Sequence, residues 1–279
     1  FLPLLKKEEV DLVTPSCDMA LTIIRSGLVQ EFELGNEDEM LPAFRRPPFL
    51  QHSGQGFGAC YASGPMWLVS LDPKRAARSW SELWNPAFKD RIAIWDDGVW
   101  AVTLAALDLG LSPVFNLPDA ELPKVQEHLE ALLRNGCKTW RSPKDALQLV
   151  REQNVILIDD WGLIAWELQR EGSWVHQIVP EGGSALWIDS WMIARHLEGD
   201  ALNAARAWVE YAVSPENQRD LLLLVGYDPT NRETVRVLDK ATAITRLQRI
   251  RERELRGLER WRPVPRRERY LRTWAEAKT

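Results

Sequence analysis

Arg91-Ile92-Ala93-Ile94-Trp95-Asp96-Asp97-Gly98 is the stretch on which the fold turns. Arg91 to Trp95 is a short apolar run that reads as a buried strand. Asp96-Asp97-Gly98 interrupts it, and Val99 to Leu109 continues as a helix. A strand that feeds through a tight acidic turn into a helix is a building unit of α/β sheets. Upstream, Tyr61 to Ser70 reads as a strand and Ser79 to Leu83 as a short helix. Residues 35 to 58, rich in Gly, Pro and charge, read as an irregular connection. Val10 to Val13 reads as a strand, and Ala20 to Leu28 as a helix stopped at Ser26-Gly27.

Downstream the alternation continues. Leu122, Val125, Leu129, Leu132 and Leu133 recur at helical spacing behind Pro118-Asp119, and Gly136 closes the run. Ser142-Pro143-Lys144-Asp145 resembles a capping box that starts a helix through Arg151. Val155 to Ile158, His176 to Val179 and Ala185 to Ile193 read as strands. Leu202 to Val213 reads as a helix, and Ser214-Pro215-Glu216-Asn217 opens its successor, which ends at Gly226. Two basic helices close the chain, broken near Arg262-Pro263-Val264-Pro265; Ile244, Leu247, Ile250, Leu255 and Leu258 line the first. The pattern argues an α/β protein with mainly parallel pairing and more than one lobe.

Composition bounds the function. The chain has 279 residues, 45% hydrophobic and 27% charged, with a mean hydropathy of −0.29. That length suits one large domain or two lobes and needs no covalent staples. No apolar run reaches the eighteen or so residues of a membrane span. The three cysteines, Cys17, Cys60 and Cys137, have no metal spacing and cannot complete an internal disulfide framework. Charge is uneven: net +8 from Arg232 onward and −13 before it. An acidic body argues against nucleic acid and favours cationic partners. Fourteen tryptophans supply walls suited to organic or cationic ligands.

Motifs for catalysis are missing. There is no G-x-S-x-G, no G-x-x-x-x-G-K-[ST], no H-E-x-x-H and no C-x-x-C. Gly54-Gln55-Gly56-Phe57-Gly58 lacks the spacing and following helix of a phosphate loop, so it reads as a flexible connection. His52, His128, His176 and His196 are scattered, and Cys17 has no positioned base. Neither catalytic nor metal-ligating residues, nor a cofactor, are assigned. Four acids stand out by context instead. Asp18, Asp97, Asp160 and Asp189 lie in or just past strands, and ligands of open α/β sheets sit beyond strand carboxyl ends. Trp187 and Asp189, two apart on a strand, share one face, an indole beside a carboxylate that fits an organic cation. For Asp97 the competing reading is a helix cap.

The chain resembles the periplasmic spermidine/putrescine-binding proteins of bacterial ABC importers. Asp11-Leu12-Val13-Thr14-Pro15-Ser16 is similar to a strand end of that family, and Ser79-Trp80-Ser81-Glu82-Leu83-Trp84-Asn85-Pro86-Ala87-Phe88-Lys89-Asp90-Arg91-Ile92 to its long tryptophan signature. Asp96-Asp97, Glu181-Gly182-Gly183, Trp187-Ile188-Asp189-Ser190 and Gly226-Tyr227-Asp228-Pro229-Thr230-Asn231 follow in the family's order. The resemblance implies a two-lobed, hinged fold of the periplasmic-binding-protein type (type II). Residues 1–70 with 190–235 would form one lobe, and 71–189 with 236–279 the other. It implies ligand contacts at Ser16, Asp97, Trp187, Asp189 and Tyr227, the acids on amine groups and the aromatics along methylenes.

Departures from the family bear on the ligand. Asp18 stands where the family has Tyr, Trp100 where it has Glu, Asp160 where it has Trp, and Arg262 where it has Gln. Asp18 and Asp160 would strengthen cation binding. Trp100 removes a charge, and Arg262 would repel an amine, so a shorter or zwitterionic amine is expected. The family's first strand and helix have no counterpart, which leaves the first lobe incomplete at its N-terminus. Phe1-Leu2-Pro3-Leu4-Leu5-Lys6-Lys7 is too short and too soon charged for a signal peptide. A periplasmic location, or an extracellular lipoprotein, therefore rests on the resemblance alone. The expected function is non-catalytic: capture of a polyamine or other small organic amine for a membrane permease, with no nucleic-acid partner. The alternative is an enzyme or a ligand-sensing module on the same scaffold.

Overall fold

The computed structural model describes residues 1–242 and 258–279, and the chain divides into two units. Unit 1 takes Phe1–Gly64 and the chain from Leu186; unit 2 takes Pro65–Ala185 and the C-terminal stretch to Thr279. The chain thus passes between units at Gly64–Pro65 and Ala185–Leu186, a few residues before the crossings expected at 70 and 189. Described residues after 235 remain with unit 1 as far as 242.

In unit 1, Leu2–Lys6 forms α1, Leu12–Val13 strand β1 and Cys17–Arg25 helix α2. The connection at 35–58 is more ordered than its composition suggests: Gln51–His52 (β2) and Gln55–Gly56 (β3) make an antiparallel hairpin. Ser53 and Gly54 at its tip both have positive φ, 52° and 82°, which suits a tight hairpin turn. Ala59–Pro65 is β4. Ser184–Ile193 is β10, and it pairs with β4 and antiparallel with β1. Gly58 permits the close approach there, because a Cβ on it would lie 2.3 Å from the Trp191 carbonyl oxygen. Gly199–Ala212 (α7) and Pro215–Leu224 (α8) complete the unit. Its core joins Phe32, Met40, Ala59, Ile193, Leu197, Ala205, Val209 and Val213.

Unit 2 is built on a five-stranded sheet. Trp67–Ser70 is β5, separated from β4 at Met66, so the expected single strand over 61–70 is two. Ile92–Trp95 is β6, followed by α3 at Gly98–Asp108 and α4 at Leu122–Arg134. Lys138–Trp140 (β7) lies parallel to β6, with Trp95 opposite Trp140. Pro143–Gln153 is α5, opened by a true capping box of Ser142 and Asp145. Leu157–Asp160 (β8) is also parallel to β6. Leu163–Arg170 is α6, and His176–Ile178 is β9. The strand order is β7-β6-β8-β5-β9, with β5 antiparallel to both its neighbours. Pairing is therefore mixed rather than mainly parallel: β8 and β9, joined through α6, run the same way, and β5 between them runs against both.

The core of unit 2 gathers Val69, Ala93, Trp140, Ala146, Leu149, Val155, Ile158, Ile164, Ala165 and Leu168. The final helix, α9 at Arg267–Ala277, packs on α3 and α4. Its Tyr270 hydroxyl donates to the Val114 carbonyl at 2.8 Å and accepts from the Leu117 amide at 2.9 Å. Of the apolar series expected to form the preceding basic helix, Ile244, Leu247, Ile250 and Leu255 lie outside the described residues, and Leu258 begins a three-residue strand. Among the described residues no helix is long and apolar enough to cross a membrane.

Candidate functional site

Unit 1 brings five of the expected residues into one neighbourhood. Thr14-Pro15-Ser16 leaves β1, and the Ser190 amide donates to the Pro15 carbonyl at 3.1 Å. Ser16 thereby bridges Asp189 across the strands and becomes the N-cap of α2. Asp18 sits buried in the first turn of that helix, where a carboxylate is favoured by the helix dipole. Asp189 is half-buried on β10. Burial pushes its carboxyl up to about 6, Asp18's charge adds to the rise, and a hydrogen bond with Ser16 opposes it. Among the described residues no lysine, arginine or histidine forms an ion pair with Asp189.

The aromatic part of this neighbourhood comes from strand alternation. Trp187, two residues before Asp189, is buried, and its ring meets Tyr227 edge-on at 4.9 Å. Gly64 makes room for it: a Cβ there would stand 2.8 Å from the Trp187 ring. Tyr227 is held by the segment after it. The Asp228 amide donates to Ser63, the Thr230 hydroxyl to the Cys60 carbonyl at 2.8 Å, and the Asn231 side chain to the Val213 carbonyl at 2.9 Å. Tyr61 was not among the sequence candidates, yet it faces the same carboxylate. Burial raises its hydroxyl to about 12, with Asp189's charge contributing and a hydrogen bond to Thr14 opposing. Only its alternation with Ala59 and Ser63 along β4 hinted at its face. Burial likewise pushes the Cys17 thiol up to about 12, so it stays a thiol at neutral pH and offers no nucleophile.

Unit 2 gathers the other four at or near the carboxyl ends of its parallel strands. Asp97 caps α3 by accepting from the Trp100 amide at 2.8 Å. Trp100 is fully buried, its indole N–H donating to Asp159. Asp160 is fully buried and accepts from the amides of Ile164 at 3.1 Å and Ala165 at 2.9 Å, capping α6. Burial lifts its carboxyl to about 6 against those backbone hydrogen bonds. Arg262 is exposed, next to the buried Trp261. Asp96, beside Asp97, is tied to Trp274 and Lys278, both at 2.8 Å, and to Arg141 at 3.0 Å.

Around these residues lies an aromatic cluster that the sequence did not single out. Trp161 packs on Trp95 at 4.9 Å and on Trp140 at 5.0 Å. Trp261 packs on Trp100 and on Phe115, both at 5.9 Å. Trp95 and Trp161 remain half-buried and present ring surface at the strand ends. Asp159 lies beneath them, wholly buried, and burial pushes its carboxyl to about 7 against N–H donors from Trp95, Trp100 and Trp140. Among the described residues no cluster of three or more His, Cys, Asp or Glu side chains could hold a metal ion.

Residues 5–243 match the bacterial extracellular solute-binding proteins. The chain is 24% identical over 242 residues to the spermidine/putrescine-binding periplasmic protein of Salmonella typhimurium, covering 84% of this chain and 67% of that one. It is 26% identical over 238 residues to spermidine/putrescine-binding periplasmic protein 1 of Haemophilus influenzae, covering 82% and 64%. It therefore spans about two thirds of these relatives' length. Among solved structures it is similar to a spermidine/putrescine ABC transporter substrate-binding protein of Streptococcus pneumoniae, with a TM-score of 0.80 at 18% identity, over 99% of this chain and 86% of that one. A periplasmic binding protein of A. tumefaciens solved with glucopine gives a TM-score of 0.72 at 13% identity, over 99% and 86%. At such identities the two structures establish the two-lobed α/β fold alone.

Proposed function

We propose that this chain, which belongs to the family of bacterial extracellular solute-binding proteins, captures a small organic amine of the polyamine class through the Asp189 cluster of unit 1. The observation that carries this reading is the state of Asp189. Its carboxylate is half-buried, stands near a second acid, and has no protein cation paired with it among the described residues. A carboxylate in that condition gains most from an ammonium group. Asp96, Asp97, Asp159 and Asp160 differ, since each accepts from protein N–H groups.

Trp187 and Tyr227 stand beside Asp189 as ring surface for the carbon chain, with cation–π attraction worth about 0.5–2 kcal/mol where desolvated. Ser16 and Asp18 complete the amine-binding end. Asp97 and the ring surface of unit 2 are assigned amine and carbon-chain contacts in their own right, and Arg262 an anionic group where a ligand carries one. Capture is non-covalent, and the partner that receives the ligand is the membrane permease of an ABC importer. The protein acts in the periplasm, the setting named for the spermidine/putrescine-binding relatives it matches, or as an extracellular lipoprotein.

The test is a panel of polyamines, amino acids and quaternary amines against the full chain, read by melting temperature and tryptophan emission. At least one amine should raise the first and shift the second, because a bound ligand stabilises the folded state by mass action. A panel in which no amine moves either quantity would sink the reading.

A further inference from the structure

We infer that Asp159 is the positioning residue of the unit-2 face: one buried carboxylate fixes the place of Asp97 and of the indole rings beside it. The inference rests on the amine reading above, in which Asp97 and those rings meet the ligand. Strand β8 ends in two adjacent acids, and alternation sends them to opposite faces. Asp160 turns to the amides of α6. Asp159 turns to the turn that carries Asp97, and binds it at both ends.

At the near end, the Trp95 amide donates to both Asp159 oxygens, at 2.9 and 3.0 Å. At the far end, the Trp100 indole N–H donates to Oδ2. Trp100 in turn donates its backbone amide to Asp97 Oδ1 at 2.8 Å. One residue therefore links the two carboxylates, through its ring to the buried one and through its backbone to the half-buried one. The Trp140 indole donates to the remaining oxygen at 2.8 Å, which fixes the ring that Trp161 packs on. With four residues between its ends, the Trp95–Trp100 turn is otherwise held by the Asp96 bonds to Trp274, Lys278 and Arg141, by the Asp96 amide on the Trp140 carbonyl, and by the first helical bonds of α3. Shape complementarity to a ligand requires such supporting bonds, since a contact residue left loose loses its geometry.

The side chain suits the task in chemical type. Three N–H groups converge on it, and an ionised carboxylate is acceptor-only, so it receives all of them. An asparagine of the same shape would point an NH2 at one of those donors. Replacing one of its acceptor oxygens by a donor should therefore release the turn while leaving the strand pairing intact.

The experiment compares full-length wild type with Asp159→Asn, Trp100→Phe, the double variant and Asp160→Asn. The first readout needs no ligand. In Asp159→Asn the Trp100 and Trp140 indole N–H resonances should move and lose exchange protection, and the Asp97 side-chain carboxyl resonance should move with them. Trp100→Phe should move Asp97 in the same sense, and carries the test if Asp159→Asn does not fold. Asp160→Asn, which breaks only the α6 cap, should leave all three resonances in place. The second readout is putrescine titration: Asp159→Asn and Trp100→Phe should each weaken binding by about tenfold or more, with the double variant no worse than the poorer single, as for residues acting through one another. An unmoved Asp97 resonance, or losses that simply add, overturns the inference. If wild type binds no putrescine the amine reading for that probe fails, and the resonances alone decide the positioning role.

Discussion

Asp189→Asn separates ligand capture from folding. In the folded chain burial raises the Asp189 carboxyl from 3.8 to about 6. At about 1.4 kcal/mol for each tenfold, ionising it in place costs about 3 kcal/mol more than in the unfolded chain. The sign follows from proton binding: the folded state holds the proton more tightly, so the charge opposes folding above pH 6. Asparagine keeps the shape and can still accept from Ser16, but it carries no charge. Residual hydration of a half-buried group reduces the figure, so the ligand-free variant should be about 1–3 kcal/mol more stable at pH 7. The same change should weaken amine binding by on the order of 2–5 kcal/mol, the loss expected when one member of a desolvated charged pair is removed. Urea denaturation of the ligand-free proteins at pH 7 and pH 4.5 measures the first quantity, and calorimetric titration the second. The stability gain should shrink at the lower pH, where wild type is protonated as well. A variant less stable than wild type at pH 7, with unchanged affinity, would make Asp189 a structural residue and refute the reasoning.

Four further outcomes follow from the same geometry. Asp159, Asp160 and Asp189 all have folded carboxyls raised above 3.8, to about 7, 6 and 6. Ligand-free stability should therefore rise, by on the order of 1–3 kcal/mol, as pH is lowered from 7.5 to 5; a fall over that window would contradict the assignments. Amine affinity should move the other way, dropping as Asp189 protonates below pH 6, which titrations at pH 7.5 and 5 would show. Gly64→Ala places a Cβ 2.8 Å from the Trp187 ring, so it should cost about 1–3 kcal/mol and shift tryptophan emission, and an unaltered spectrum would refute that packing. Asp160→Ala leaves two buried amides of α6 without their acceptor, and should cost about 2–4 kcal/mol in a denaturant melt while leaving amine affinity within a few-fold.

What sequence reading reached, and where it stopped, follows from which interactions are local. The Arg91–Leu109 strand and helix, the Ser142–Asp145 capping box and the Gly136 stop depend on neighbours in sequence, and the structure has each of them. Lys138–Trp140 was missed because one apolar residue in three gives no period; it is a strand only because Ile92–Trp95 lies alongside. In sequence the hairpin at 51–56 is indistinguishable from a loose connection, because its tip residues, Ser53 and Gly54, are turn formers in either case. Trp187 and Asp189 share a face by strand alternation alone, which sequence could show. Tyr61 faces the same carboxylate from a different strand, and Asp159 differs from Asp160 only in which side of β8 it faces. Neither distinction exists until the sheet is assembled.

The most direct test of amine capture at Asp189 is a crystal structure of the full chain grown with spermidine. The account predicts an ammonium nitrogen at about 2.7–2.9 Å from an Asp189 carboxylate oxygen, with the carbon chain against the rings of Trp187 and Tyr227. Spermidine bound elsewhere, with Asp189 bonded only to protein groups, would contradict it.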